Sequence, residues 1–154
     1  MRLALITILV TIVACTTAIE ETLLQCDDCR EVRVNRVIDG DTLQTPSRRV
    51  RLFGVDTPEA GERCASEATS RINELAGNSV RLEDGPRLTD QFGRRLAYVY
   101  TGEGYSIDEI LVREGLGTAW TEDGQHQGYL VGLEQTTSKM ESGCLWLIQP
   151  RNPS

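Results

Sequence analysis

The stretch Arg49-Val-Arg-Leu-Phe-Gly-Val-Asp-Thr-Pro-Glu59 decides how this chain is read. Residues 49–55 carry the β-branched and aromatic side chains of a strand. Asp56-Thr57-Pro58-Glu59 then sets two carboxylates where that strand gives out and side chains are free to converge. Upstream, residues 31–45 alternate around Val32 and Val34 and continue through Val37, Ile38 and Leu43, with the turn pair Asp39-Gly40 among them. Downstream, 80–83 and 96–100 predict two more strands, and Asp84-Gly85 and Phe92-Gly93 carry turn chemistry. Residues 65–75 predict a helix with Ala68, Ile72 and Leu75 on one face and Gly77 as its stop. A second helix is predicted over 106–114, where Ser106 caps, Glu109 sits three residues on and Gly115 ends it. A third covers 129–142 and ends at Gly143. Five short strands with interleaved helices predict the α+β class, as a small β-barrel with helices attached.

The whole chain has 154 residues, 40% hydrophobic and 25% charged, which suits one domain with a single core. That balance excludes a disordered tail, a coiled coil and a collagen-like fibre. Sixteen basic and 23 acidic side chains give a formal charge of −7. A chain this acidic does not hold nucleic acid by bulk charge, so any polyanion must meet a local cluster of cations. Lys139 is the one lysine; the other basic residues are arginines.

Met1-Arg2 and the apolar run 3–14 match a secretory signal, being too short to span a bilayer. Ile12-Val13-Ala14-Cys15 resembles a lipoprotein box, with cleavage before Cys15 and acylation of its sulfur; Thr16-Thr17-Ala18 offers ordinary cleavage instead. Five cysteines favour the first exit, because assigning Cys15 to lipid leaves an even four. The expected organisation is therefore a signal over 1–14, a linker over 15–30, a domain over 31–148 and a tail over 149–154. The product is an exported protein, membrane-anchored by lipid or secreted. Four cysteines allow three pairings. Cys26-Asp27-Asp28-Cys29 is open to redox, zinc or disulfide readings. No second such pair follows, so a structural disulfide Cys26–Cys29 is the default, leaving Cys64–Cys144 as the long-range pair.

Two acidic segments carry the chemistry: Ile38-Asp39-Gly40-Asp41-Thr42 and Val55-Asp56-Thr57-Pro58-Glu59. Hard divalent cations take carboxylate and carbonyl oxygens, so Asp41, Asp56 and Glu59 are expected to share one ion. The competing reading makes Asp39-Gly40 a plain turn and Asp56 to Glu59 a capping box with Pro58 at the first helical position. No twelve-residue EF-hand loop is present. Arg51 and Arg94 tilt the balance, since a metal ion with guanidinium forks stabilises the charge that grows on an attacked phosphodiester.

These segments, with Asp90-Gln-Phe-Gly-Arg94-Arg-Leu-Ala-Tyr98, Leu111-Val-Arg-Glu-Gly-Leu116 and Gly143-Cys-Leu-Trp146, resemble the staphylococcal nuclease (thermonuclease) family in order. The resemblance covers about residues 31–148. It implies an OB-fold, a five-stranded β-barrel with three α-helices, acting as a monomer on DNA and RNA. It also implies calcium (Ca2+) dependence and cleavage to 3′-phosphate ends. Asp41 and Asp56 match the calcium carboxylates, and Thr57 matches a residue that binds calcium through its carbonyl. Asp39 matches a supporting acid, Glu59 the acid that holds the attacking water, and Arg51 and Arg94 the catalytic arginines. The chain departs from the best-known member after Glu59, where only Ala60-Gly-Glu-Arg63 precedes Cys64, and at Phe92 and Gln91, which stand for a Tyr and a Lys. Weaker, more salt-sensitive substrate binding is the expectation. The rival functions are a non-catalytic OB-fold binding module and a structural surface lipoprotein. Trp120 reads as a packed aromatic or a base-stacking platform, Trp146 as closing the core, and His126 as a surface residue.

Overall fold

The computed structural model describes residues 23–147. The signal segment, Cys15 and the tail over 149–154 lie outside them. The alternating stretch divides into β1 (Arg30–Arg33), β2 (Arg36–Val37) and β3 (Thr42–Gln44), with the Asp39-Gly40 turn between the last two. The deciding stretch forms β4 (Arg49–Leu52) and β5 (Val55–Asp56). There follow α1 (Ala65–Ala76), β6 (Ser79–Thr89), β7 (Arg95–Tyr100), α2 (Ile107–Arg113), β8 (Thr118–Ala119) and α3 (Gln127–Lys139). One mixed sheet runs β1-β6-β7-β4-β3-β2 and curls into a half-barrel; β5 and β8 pair separately. Within the large sheet only β4 and β7 are parallel. This is the expected α+β, OB-type domain. It has more strand segments than the expected five, because the 31–45 and 49–55 stretches each divide and β8 adds a short strand at 118–119.

Two local expectations change. Asp84-Gly85 is not a turn: β6 runs through it, and the register against β7 shifts between Asp84 and Thr89 as a bulge does. Gly85 is there for space, since a Cβ at that position would lie 2.7 Å from the Phe53 ring. The capping box after Asp56 does not form. Helix α1 starts only at Ala65, with Cys64 at its N-cap and no side-chain cap, so Glu59 caps no helix. Helix α2 does start as expected, with Ser106 Oγ accepting the Glu109 N–H at 3.1 Å. Helix α3 begins two residues early and stops before Gly143.

The core gathers Leu43, Val50, Leu52, Phe53 and Ile72 from the first half with Tyr98, Tyr100, Leu111 and Leu130 from the second. Helix α2 also buries two acids. Asp108 Oδ1 accepts the Gly54 N–H at 2.7 Å and its Oδ2 accepts the Val99 N–H at 2.9 Å, tying the helix to the β4–β5 junction and to β7. Burial pushes this carboxyl up to about 6, although the two N–H donors and Arg51 pull the other way. Its folded pKa exceeds its unfolded one, so its contribution to stability falls as pH rises from about 4 to about 6. Glu109 accepts hydrogen bonds from the Leu24 N–H, the Arg113 guanidinium and the Tyr129 hydroxyl. It thereby pins the segment before β1. That arm is further held by Cys26 N–H to Gly104 O and Ser106 N–H to Leu24 O, each 2.9 Å.

Disulfides join Cys26 to Cys29 and Cys64 to Cys144. The second closes a separation of 80 residues and fastens the start of α1 to the loop after α3. Replacing both of its cysteines by Ala is expected to cost about 4 kcal/mol, the loop-closure entropy of a ring this long. Urea denaturation measures it, and an unchanged midpoint would show that the bond constrains nothing. Trp146 is half-buried, with its indole Nε1 buried and without a hydrogen-bond partner among the described residues. His126 is half-buried rather than a surface residue: its Nε2 lies 2.9 Å from Glu83 and its ring packs edge-on against Tyr98.

Candidate active site

The turn between β2 and β3 builds the first part of the site. Asp39 Oδ1 accepts the Asp41 N–H at 3.1 Å, which fixes the chain as it enters β3. Asp41 is only 7% exposed. Its Oδ1 accepts the Thr42 hydroxyl at 2.9 Å, and its Oδ2 faces the Thr57 N–H and hydroxyl at 3.3 and 3.4 Å. Gly40 makes this approach possible. A Cβ there would sit 2.5 Å from Thr57 Oγ1 and 2.9 Å from Ala68 Cβ, so the two acidic segments touch only across a glycine. The Asp39-Gly40 turn is thus more than a connection.

Strand β4 supplies the cation. Register places Arg51 opposite Thr42, and Arg51 itself is 9% exposed. Its Nη1 donates to the carbonyls of Leu52 and Val55 at 2.6 and 3.0 Å. Its Nη2 bridges the carboxylates, 3.2 Å from Asp41 Oδ2 and bonded to Asp56 Oδ1. Burial raises the Asp41 carboxyl above its ordinary value; Arg51 opposes that rise and Asp39 adds to it.

The β6–β7 hairpin supplies the second arginine. Asp90 Oδ1 accepts the N–H groups of Phe92 and Arg94, each at 2.9 Å, and closes the tip. Its Oδ2 holds Arg94 Nε at 2.5 Å, and Arg94 Nη1 reaches Thr42 Oγ1 at 3.4 Å. Burial would push the Asp90 carboxyl up, but these hydrogen bonds outweigh it and hold the group below its ordinary value. Asp90 is a site residue that sequence reasoning passed over. An Asp four residues before an Arg looked like part of the turn.

Glu59 follows β5 in irregular chain. Its N–H donates to Glu62 Oε2 at 2.8 Å, while its own carboxylate has no hydrogen-bond partner among the described residues. Asp41 and Asp56, the two carboxylates assigned to the ion with Thr57, meet at Arg51. Among the described residues the one group of three metal-ligating side chains within 4.8 Å of one another is Cys26, Asp28 and Cys29, whose sulfurs are bonded to each other and so offer no thiolate. All seven sequence-derived site residues line one open cleft of about 540 Å³: Asp39, Asp41, Arg51, Asp56, Thr57, Glu59 and Arg94. Trp120 lines it too, half-buried, packed on the core and with Nε1 donating to Asp123 at 2.9 Å. Phe92, 75% exposed, stands at its rim. Arg87 also faces this cleft, and nothing in its sequence context singled it out.

The cleft combines buried oxygen donors, two guanidinium forks and a free carboxylate, a set suited to polarising and attacking a phosphodiester. Comparison with known proteins agrees. Residues 49–146 match the family described as staphylococcal nuclease homologue. An uncharacterized endonuclease of Escherichia coli O157:H7 is 29% identical over 119 residues, 74% of this chain and 75% of its own length. The thermonuclease of Staphylococcus intermedius is 40% identical over 99 residues, 56% of this chain and 57% of its own. The succinoglycan biosynthesis protein ExoI of Rhizobium meliloti is 29% identical over 128 residues, 75% of this chain and 64% of its own. With the family match spanning β4 to the loop beyond α3, and the fold and cleft in agreement, this chain belongs to the staphylococcal nuclease family.

Proposed function

We propose that this protein is an exported, calcium-dependent nuclease that hydrolyses DNA and RNA phosphodiesters with little sequence preference and leaves 3′-phosphate ends. The observation that carries this reading is the single cleft onto which separate strands, loops and a hairpin bring two touching acidic segments, two arginines and an unengaged glutamate. The donor chemistry fits calcium. Asp41 and Asp56 are oxygen donors held side by side, and burial leaves Asp41 needing positive charge nearby. Asp41, Asp56 and the Thr57 carbonyl are the groups that would hold the ion. When bound, it supplies charge that neutralises the phosphate and lowers the cost of forming hydroxide from water.

The chain's own residues do the rest. Glu59 has its carboxylate free to orient a water and take its proton. Arg51 on β4 and Arg94 just ahead of the neighbouring β7 donate to the phosphate oxygens as negative charge builds there. Asp90 and Thr42 hold Arg94 in place for that task. Asp39 acts one step back, fixing the backbone that presents Asp41. Export is supported by the apolar segment 3–14 and by two disulfides, which belong in an oxidising compartment. Anchoring through a lipid on Cys15 is the favoured form.

Digestion of plasmid DNA and of RNA by the purified protein, with Ca2+, Mg2+ or EDTA, tests the activity. Cleavage with calcium that EDTA abolishes supports the reading; no cleavage under any condition rejects it in favour of a binding module. Asp41→Ala and Asp56→Ala should each weaken calcium binding at least tenfold by calorimetry, since each removes a charged ligand. Unchanged affinity in both variants would remove the metal assignment.

A further inference from the structure

Arg87 stands on β6 on the cleft wall, outside the set of residues assigned above. It is held as a fork: Nε and Nη2 donate to the two Asp123 oxygens at 2.6 and 3.0 Å. Asp123 is itself fixed by the Trp120 indole N–H. The Arg87 guanidinium lies 5.4 Å from the Phe53 ring centroid and 5.9 Å from that of Trp120. Two rings and a carboxylate therefore orient a side chain that is still 44% exposed. A guanidinium has five N–H donors, and Asp123 engages only one edge of it. Nη1 has no hydrogen-bond partner among the described residues, which leaves a donor pair available on the cleft wall.

The surroundings give those donors a task. Arg51 lies 5.8 Å from the same Trp120 ring. The two guanidinium carbons are therefore no more than about 12 Å apart, close enough for one strand to present neighbouring phosphates to both. The cleft is otherwise acidic, with Asp39, Asp41, Asp56, Glu59, Asp90 and Glu122 along it. Arg51 is committed to Asp41 and Asp56, and Arg94 to Asp90. At the hairpin tip, Gln91 and Phe92 bring no charge.

We propose that Arg87 is a substrate-binding residue that holds a backbone phosphate adjacent to the scissile one, with Asp123, Trp120 and Phe53 as its mount. The proposal rests on the nuclease reading. It makes this protein's grip on longer strands depend on β6 as well as on the catalytic arginines.

The test compares a dinucleotide, which has only the scissile phosphate, with a 12-nucleotide single strand. Arg87→Met keeps the apolar stem against Phe53 and Trp120 and removes every donor. KM for the 12-mer is expected to rise about 5- to 20-fold with kcat within about twofold, and the dinucleotide to lose several-fold less. Binding of a fluorescent 12-mer in EDTA, read by anisotropy, should weaken in parallel. Its log–log salt slope should become shallower by about 0.7, one phosphate contact on a single strand, and Arg87→Lys should restore most of that slope. Equal losses on both substrates, or a fall in kcat at constant KM, would assign Arg87 to packing alone. No change in any of these would leave it a surface cation spent on Asp123. Arg87→Gln, which keeps a polar tip towards Asp123 but no cation, gives a second reading if Arg87→Met does not fold: KM for the 12-mer should rise several-fold with the dinucleotide nearly unchanged, and an unchanged 12-mer KM overturns the proposal. Failure of the wild-type protein to cleave either substrate would be a different result, removing the nuclease reading itself.

Discussion

Glu59→Gln is expected to lower turnover by about 10²- to 10⁴-fold, the usual worth of a positioned general base. The amide keeps the shape of the carboxylate but cannot take a proton from water. The structure makes this a clean experiment. Helix α1 begins at Ala65, so no cap is lost with Glu59, and its carboxylate supports no other side chain among the described residues. Melting temperature should therefore stay within a degree or two of the parent. Steady-state cleavage of plasmid DNA together with thermal melting decides the matter. A folded variant that retains near-parental turnover would leave Glu59 with no part in the chemistry.

Arg94→Lys should lower kcat/KM by about 10²- to 10³-fold, as for loss of one donor aimed at developing charge. An ammonium cannot make the paired hydrogen bonds of a planar fork. It would also lose the mount that Asp90 and Thr42 provide, since their contacts use two different guanidinium nitrogens. The hairpin tip should persist, because Asp90 still accepts the backbone N–H groups of residues 92 and 94. Combined with Glu59→Gln, the loss should fall well short of the product of the two, as both act on one transition state. A kcat/KM within threefold of the parent would show that Arg94 serves the hairpin and not the substrate.

Much of this was legible in the sequence because the relevant signals are local. The strand at 49–52, the Ser106 cap and the turns at Asp39-Gly40 and Phe92-Gly93 each depend on residues a few positions apart. The ordered motifs then located Asp41, Arg51, Asp56, Thr57, Glu59 and Arg94, which the fold brings to one cleft. What the sequence hid is decided by contacts between distant segments. Asp84-Gly85 looks like a turn, and only the Phe53 ring beneath it explains a glycine inside a strand. Pro58 and Glu59 look like a helix start, yet the chain stays irregular while Thr57 packs against Asp41. His126 has no sequence partner, and its contacts with Glu83 and Tyr98 cross 43 and 28 residues. Arg87 is one arginine among fifteen until Asp123 and two rings are seen to hold it.

The arm before β1 docks where β6 begins and β7 ends, against Arg81, Gly104 and Ser106. The cleft lies at the other end of the same ribbon, around Arg87 to Leu96. Six residues of β7 and its continuation, from Arg95 to Thr101, separate the two, roughly 20 Å at ~3.3 Å each. Anything fastened ahead of Leu24, be it an acyl chain, an affinity tag or a solid support, thus pulls on the end of this ribbon away from the cleft. A bead coupled there would be joined to the ribbon about 20 Å from the cleft, leaving the cleft's own lining residues untouched.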